Sequence, residues 1–154
     1  MQLSDFLDFD AIRVDLAAGN KRQLLNQLSQ IAASRLSFDP SEIADAIAER
    51  ERLGSTGFGG GVAIPHGKLD MIDRVYAMVV RLAAPIDYKA IDGQPVDLAF
   101  LLLSPPDAGA EHLKALAAVS RLVRHAGIVD KLRGARTRDA MAAVLIGAEE
   151  RDAA

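Results

Sequence analysis

Residues 50–67, which read RERLGSTGFGGGVAIPHG, carry most of the sequence information about the fold and the candidate site of this chain. This stretch begins at the end of a predicted helix and continues into a glycine-rich run, which we expect to lack regular secondary structure. Residues 62–64 are an apolar run of strand length, and that strand must stop at Pro65 because proline has no backbone N–H to donate. The stretch therefore predicts a helix, a glycine loop and a short strand that stops at Pro65, directly before His66.

Two helices are predicted before this stretch. Asn20, with Gln23 three residues later, resembles a capping box, and apolar residues at helical spacing continue to Leu36. Asp39 followed by Pro40 is a strong helix start, because an acidic N-cap accepts a backbone N–H and proline suits the first turn. The second helix should end near residues 53–54.

Two apolar runs of strand length follow the stretch, at residues 75–82 and 96–103. They are too continuous for a sheet with one solvent-exposed face, so we interpret them as central strands that are covered on both faces. Helices before, between and after the strands predict a three-layer α/β/α sandwich.

Two more helices are predicted in the C-terminal third. The first should begin after residues 105–106, carry Leu113 on its buried side and end before Gly127. The second should begin with Thr137 as its N-cap and end before Gly147.

Composition limits the classes of function. The 154 residues contain no repeat or linker, which predicts a single domain over residues 1–154. The formal net charge of -3, with no global basic field, makes nucleic acid a poor candidate partner. The chain has no cysteine, so disulfides, thiolate metal sites and thiol nucleophiles are excluded. It also lacks a signal-peptide pattern and an apolar run near the roughly 20 residues of a membrane helix, which predicts a cytoplasmic protein.

His66 is the first candidate for chemistry. It follows a short strand and lies between Pro65, whose ring fixes its own φ, and Gly67, which permits close approach of a partner's backbone. A histidine at that place is exposed yet fixed in direction, as a nucleophile must be, and imidazole forms covalent intermediates near neutral pH. An ordinary surface histidine in a loop has the same local pattern, so position alone leaves both interpretations open.

His112 and Arg50 are candidates for binding an anion. We place His112 in the first turn of a helix, where free N–H groups and a partial positive charge favour phosphate. Arg50 lies near the end of the preceding helix and can present a fork of donors. Each residue also has an ordinary interpretation. His112 can be a solvated histidine in the first turn of a helix, and Arg50 can complement the dipole at the end of its helix. His125, at the far end of the helix that begins near His112, has the same ordinary interpretation as Arg50. The glycine run is weak evidence, because it follows a helix and precedes a strand, the reverse of a P-loop.

Taken together, residues 50–67 resemble the signature of fructose/mannitol-type enzyme IIA domains of the bacterial phosphotransferase system. The resemblance extends over nearly the whole chain, including residues 91–97 and 111–113, and the nitrogen-regulatory branch is the nearest match. It implies a mixed sheet of about five strands between helical layers. Phe58 stands where an aliphatic residue is more usual, and Gly60 stands where asparagine is more usual.

The resemblance also implies the roles of the site residues. His66 would accept a phosphoryl group, as tele-phosphohistidine, from the histidine-containing phosphocarrier protein. His112 and Arg50 would stabilise that group through donors aimed at its oxygens. Backbone N–H groups of the glycine loop are further binding candidates, at Gly57, Gly59 and Gly61. Such a protein is a phosphoryl carrier of the transferase class rather than a multiple-turnover enzyme on a small molecule, and it needs no metal or cofactor.

What the chain lacks favours one branch of the family. In sugar transport the phosphoryl group passes to a IIB domain, commonly on a cysteine, and then to sugar at a membrane domain. Without cysteine or a membrane span, any such partner must be another polypeptide. We therefore predict a nitrogen or metabolic regulator whose targets are proteins such as kinases or transporters. The alternative is a sugar-specific IIA subunit that donates to a separate IIB protein, and a third hypothesis is a histidine phosphatase.

Overall fold

A six-stranded mixed sheet lies at the centre of the computed structural model, which describes residues 1–153. Its strands are β1 (Arg13–Leu16), β2 (Gly57–Gly59), β3 (Val62–Ala63), β4 (His66–Lys68), β5 (Tyr76–Ile86) and β6 (Val96–Ser104). β1 runs parallel to β5, and β5 runs antiparallel to β6. β3 and β4 both pair in parallel with the other side of β6, and β2 pairs antiparallel with β3.

Helices cover both faces of this sheet. They are α1 (Lys21–Leu36), α2 (Pro40–Glu51), α3 (Gly109–Arg124), α4 (Ala126–Gly134) and α5 (Arg138–Ala153), preceded by two 3₁₀ helices at Leu3–Asp5 and Phe9–Ala11. Among residues 1–153, no helix combines the length and apolar character needed to cross a bilayer.

The central strands are buried on both sides, as their continuous apolar sequences predict. Along β6, Leu98 and Phe100 enter the core under α3, α4 and α5, whereas Leu101 and Leu103 enter the core under α1 and α2. All four side chains are completely buried, and full burial of a side chain of this size contributes roughly 1.5–3 kcal/mol. The predicted three-layer sandwich with a mixed sheet is confirmed.

The helix starts predicted for α1 and α2 are also confirmed. The Asn20 side chain accepts a hydrogen bond from the Gln23 N–H at 2.9 Å, and the Gln23 side chain accepts one from the Gly19 N–H at 2.7 Å. Asp39 accepts from the Ser41 N–H at 3.0 Å. These contacts satisfy backbone donors that the first turn of a helix leaves without intrahelical partners.

The predicted absence of regular structure in the glycine run was wrong. Residues 57–59 form strand β2, which turns back into β3. The turn is possible because Gly59, Gly60 and Gly61 have φ values of 113°, 64° and 84°, a region that glycine enters without a steric penalty.

The predicted bounds in the C-terminal third were partly wrong. Thr137 does cap α5, accepting from the Ala140 N–H at 3.0 Å. The first helix, α3, ends at Arg124, before Gly127, as predicted. However, the sequence analysis missed α4, and Gly147 lies inside α5 instead of after its end. Leu113 is 66% exposed, because α3 turns its other side towards the sheet. An interior glycine costs a helix only about 1 kcal/mol relative to alanine, so tertiary packing overrides it.

Candidate functional site

The edge of β6 positions His66. β3 and β4 follow this edge in one register, Ala63 opposite Ala99 and His66 opposite Leu102, although Pro65 interrupts the pairing between them. Gly67 is buried against α2, where an added Cβ would lie 3.0 Å from the backbone of Ala46. The close approach that Gly67 permits is therefore to a helix of the same chain, not to a partner's backbone as the sequence suggested.

Both ring nitrogens of His66 have partners. Nδ1 lies 2.8 Å from the carbonyl oxygen of Ile64, and Nε2 lies 3.1 Å from Nε of Arg50. A carbonyl can only accept and a guanidinium can only donate, so Nδ1 carries the proton and Nε2 carries the lone pair. Nε2, the tele nitrogen, is therefore the ring nitrogen whose lone pair carries no proton. The sequence alone could not identify the group that holds Nδ1, and the structure shows that it is the carbonyl oxygen of Ile64.

The surroundings keep the imidazole of His66 neutral. Burial lowers the pKa of His66 below its ordinary 6.5, the hydrogen bond to Ile64 opposes this change, and the charge of Arg50 lowers the pKa further. Burial also lowers the pKa of His112, together with the charges of His66 and Lys68. Lowered pKa values leave both rings uncharged at pH 7, and an uncharged ring retains the lone pair that a nucleophile requires.

Three predicted site residues meet at this point. Arg50, near the end of α2, donates through Nε to His66 and through Nη1 to the carbonyl oxygen of Gly54 at 2.9 Å. His112, in the first turns of α3, has its ring centroid 5.5 Å from that of His66, with 50° between the ring planes. His125, by contrast, is exposed at the far end of α3, about 20 Å along the helix at 1.5 Å per residue.

The structure adds Ser104, a residue the sequence analysis did not select. It ends β6, is completely buried, and places Oγ 2.5 Å from Nδ1 of His112. No sequence motif marks this serine, because its contact with His112 depends on how α3 packs against the end of β6.

A second set of residues, outside the predicted site, holds the backbone segment next to His66 in place. We call Lys21, Glu51, Thr56 and Tyr88 the Glu51 cluster. The carboxylate of Glu51 is 2.8 Å from Nζ of Lys21, and it accepts hydrogen bonds from the Tyr88 hydroxyl at 3.1 Å and from the Thr56 hydroxyl. The carbonyl oxygen of Thr56 accepts from the N–H of Ile64 at 2.9 Å. The Glu51 cluster therefore anchors the residue whose own carbonyl orients His66.

The predicted glycines lie in the hairpin between β2 and β3 and at its turn. A Cβ on Gly57 would lie 2.6 Å from Ala90, and a Cβ on Gly61 would collide with the guanidinium of Arg133. Arg133 also donates to the carbonyl oxygen of Gly60 at 2.6 Å. Close packing therefore explains why residues 57 and 61 are glycines. The binding role of Gly57, Gly59 and Gly61 stays a prediction.

Among the side chains of residues 1–151, no group of three His, Cys, Asp or Glu is placed to hold a metal ion. The arrangement provides instead a neutral imidazole whose lone pair meets one guanidinium, with a second imidazole beside it. Such an arrangement can accept an electrophilic group on nitrogen and stabilise anionic oxygens around it.

Comparison with known proteins gives a consistent result. Residues 5–147 match the family described as "Phosphoenolpyruvate-dependent sugar phosphotransferase system, EIIA 2". A relative from Bradyrhizobium diazoefficiens named "Nitrogen regulatory protein" is 43% identical over 145 residues, which are 94% of this chain and 95% of the relative. A relative of the same name from Escherichia coli (strain K12) is 38% identical over 150 residues, 97% of this chain and 92% of the relative. The crystal structure of nitrogen regulatory protein IIA-Ntr from Neisseria meningitidis superimposes with a TM-score of 0.87 at 30% identity, covering 93% of this chain and 98% of that one.

Proposed function

This chain belongs to the EIIA 2 family of the phosphoenolpyruvate-dependent sugar phosphotransferase system, and from that premise we propose that it is a regulatory phosphohistidine carrier with His66 as its phosphoacceptor. The observation that carries the proposal is the held imidazole of His66. Its Nδ1–H donates to Ile64 and its Nε2 lone pair is directed at Arg50, so one nitrogen is available for reaction and the ring cannot turn freely.

The geometry supports a simple transfer step. Nε2 of His66 attacks the phosphorus of a phosphohistidine on the donor, the new N–P bond forms, and the old N–P bond breaks with its electron pair returning to the donor nitrogen. As Nε2 gives up its lone pair, the Nε–H of Arg50 loses its acceptor and can donate to a phosphoryl oxygen instead. Positive charge that develops on the ring strengthens the Nδ1–H hydrogen bond to Ile64. His112 supplies a second donor, so most of the catalysis is positioning and charge stabilisation.

A regulatory role is favoured over a sugar-specific subunit. The two relatives described above are both named nitrogen regulatory proteins, and each aligns with nearly the whole chain. The phosphoryl donor in this proposal is the histidine-containing phosphocarrier protein, and the targets are regulated proteins such as kinases or transporters. Rapid, stoichiometric transfer from the phosphorylated protein to a sugar-specific IIB protein would instead support the sugar-specific alternative.

The surface around His66 suits a partner that distinguishes the two states. Leu53, just beyond α2, is 83% exposed, and Leu113, next to His112, is 66% exposed. Phosphorylation adds roughly -1.5 to -2 charges at this apolar surface. A partner that buries the surface must then desolvate the phosphoryl group, which is costly unless a cation meets it. Targets of the unphosphorylated form should therefore be released by phosphorylation.

Labelling tests the acceptor directly. Incubated with phosphoenolpyruvate, enzyme I and the histidine-containing phosphocarrier protein, the wild type should gain one acid-labile phosphoryl group, and His66→Ala should gain none. His125→Ala, which removes an exposed histidine far from the site, is the matched control and should label normally. Full labelling of His66→Ala would refute the assignment.

Binding isotherms against one identified target test how the state is recognised. His66→Asp carries a negative charge without the size of a phosphoryl group, so it should weaken binding of a target of the unphosphorylated form. His66→Ala should bind that target with near wild-type affinity. Equal affinities for both variants, the wild type and the phosphorylated wild type would show that targets do not contact this surface.

A further inference from the structure

One buried hydroxyl holds His112 in place beside the phosphoacceptor. Ser104 is 0% exposed, and its Oγ lies 2.5 Å from Nδ1 of His112. The other ring nitrogen of His112, Nε2, forms no hydrogen bond with any of residues 1–151, the part of the chain whose side chains are described. Nδ1 is therefore anchored to the end of β6, and Nε2 is the nitrogen left available to a phosphoryl group.

The direction of this hydrogen bond follows from what the two groups can donate. A serine hydroxyl has one proton, and Nδ1 of a neutral imidazole is either a donor or an acceptor. If Nδ1 carried the ring proton, the buried hydroxyl proton of Ser104 would have no acceptor among the side-chain hydrogen bonds of residues 1–151, which is unfavourable. If the hydroxyl donates to Nδ1, both groups are satisfied and the ring proton lies on Nε2.

We propose that Ser104 is a positioning residue that holds His112 as its Nε2–H tautomer, so that His112 donates a hydrogen bond to the phosphoryl group on His66. The role in transfer rests on the function proposed above, whereas the tautomer itself is a property of the unphosphorylated protein. In the opposite tautomer, the lone pair of Nε2 would face the phosphoryl oxygens and repel them. Ser104 acts only through His112, since it contacts none of the reacting atoms.

The same hydroxyl can also support a charged ring. A phosphoryl group near His112 favours the imidazolium form, in which both ring nitrogens donate. The hydroxyl of Ser104 can rotate and accept from Nδ1–H, so the contact survives the gain of a proton, although the hydroxyl proton then loses its acceptor. The charge of the ring makes the new hydrogen bond stronger than the neutral one, which offsets that loss.

The tautomer can be measured without any phosphoryl transfer. Long-range ¹H–¹⁵N NMR correlations of the wild-type protein, at a pH where His112 is neutral, distinguish a protonated from an unprotonated ring nitrogen, and His112→Gln assigns the signals. We expect a protonated Nε2 and an unprotonated Nδ1. A protonated Nδ1 in the wild type would overturn the proposal, whether or not any serine variant folds.

Serine variants then test the consequence for transfer. Ser29 is 1% exposed and donates to the Leu25 carbonyl oxygen at 2.8 Å within α1, so Ser29→Ala removes the same buried group far from the site and is the matched control. We expect Ser104→Ala to give a mixture of His112 tautomers and to slow phosphorylation roughly 3- to 10-fold, the factor of one ordinary hydrogen bond. Ser104→Thr keeps the hydroxyl and should restore both, while Ser29→Ala should change neither.

The outcomes separate this inference from the proposed function. A wild-type tautomer and a wild-type rate in folded Ser104→Ala would refute the positioning role. Failure of the wild type itself to be labelled would refute the proposed function instead, and the NMR measurement would still decide the tautomer.

Discussion

Replacing Glu51 with glutamine should disturb both the stability and the chemistry of this protein. The Glu51 side chain is 8% exposed, and its carboxylate is shared among the ammonium of Lys21 and the hydroxyls of Tyr88 and Thr56. Glutamine has the same size, but it carries no charge and presents an amide NH₂ where the cluster requires an acceptor. The substitution therefore tests the cluster without creating a cavity.

The magnitude follows from what the other groups lose. Removing one partner of a buried ion pair costs about 3–5 kcal/mol when the remaining charge stays buried. Lys21 is 24% exposed in the folded protein and can turn towards water, which reduces that cost. The Tyr88 hydroxyl keeps the Thr56 hydroxyl as a partner 2.9 Å away, whereas the Thr56 N–H, which donates to the Glu51 carboxylate at 3.3 Å, belongs to the backbone and cannot turn towards water. We expect Glu51→Gln to lower the free energy of unfolding by about 2–3 kcal/mol at pH 7.

The effect of Glu51→Gln on the free energy of unfolding should depend on pH. Burial raises the pKa of Glu51, but the contacts with Lys21 and Thr56 outweigh it, so the pKa in the folded protein lies below the ordinary 4.5. A carboxyl with a lowered pKa contributes stability above its unfolded-state pKa and loses it as pH falls through its folded-state value. The difference in unfolding free energy between wild type and Glu51→Gln should therefore shrink below pH 4.5.

Urea unfolding at several pH values measures this difference, and the labelling rate measures its effect on the site. Glu49→Gln changes an exposed glutamate of the same helix and should shift the unfolding free energy by less than about 0.5 kcal/mol. Glu51→Gln should also label more slowly, because Thr56 holds Ile64 and Ile64 orients His66. An unfolding free energy equal to that of the wild type at pH 7, or a difference that stays constant from pH 7 to pH 3, would contradict this role of Glu51.

Three further substitutions test the site and its support. Arg50→Ala should fold but slow phosphorylation by about 10²–10³, because in the proposed carrier it removes a donor to the phosphoryl oxygens. Arg52→Ala, an exposed neighbour, should label normally, and equal rates in both variants would make Arg50 a bystander. Since the pKa of His66 is lowered in the folded protein, the unfolded chain binds a proton more readily and stability should fall as pH drops below 6.5. His66→Gln should reduce that slope in urea titrations, and an unchanged slope would contradict the assignment. Gly67→Ala places a Cβ 3.0 Å from the backbone of α2 and should cost about 1–3 kcal/mol in urea unfolding. Gly147→Ala, which meets open space in α5, should not destabilise, and equal stability of the two variants would remove the packing argument.

Features encoded by neighbours in sequence could be predicted. The caps at Asn20 and Asp39 depend on contacts two or three residues away, and both are present in the structure. The two-sided burial of β5 and β6 follows from their uninterrupted apolar composition. The family resemblance then supplied the sheet and named His66, Arg50 and His112, which the structure brings together.

Features created by packing could not be predicted. Ser104 meets His112 only because α3 lies across the end of β6, and no local pattern reports that crossing. Glu51 adjoins Arg50 in sequence, yet successive helical side chains point about 100° apart, so one residue enters the Glu51 cluster and the other reaches His66. Leu113 is exposed for a similar reason. Helical spacing shows which residues share one side of a helix, but it does not show which side packs against the sheet.

The resting geometry of His66 explains how one site can present opposite charges to its partners. In the unphosphorylated protein both imidazoles are neutral and the guanidinium of Arg50 gives the three residues a charge of about +1, with its Nε–H on the reactive lone pair. In the proposed carrier, phosphorylation adds roughly -1.5 to -2, so the local charge changes sign while the same N–H passes from nitrogen to a phosphoryl oxygen. Ile64 and Gly54 hold the ring and the guanidinium from behind, so we expect neither state to require a movement of the backbone. A partner of the proposed carrier should then recognise a reversal of charge rather than a change of shape, and its discrimination should weaken as added salt screens that charge.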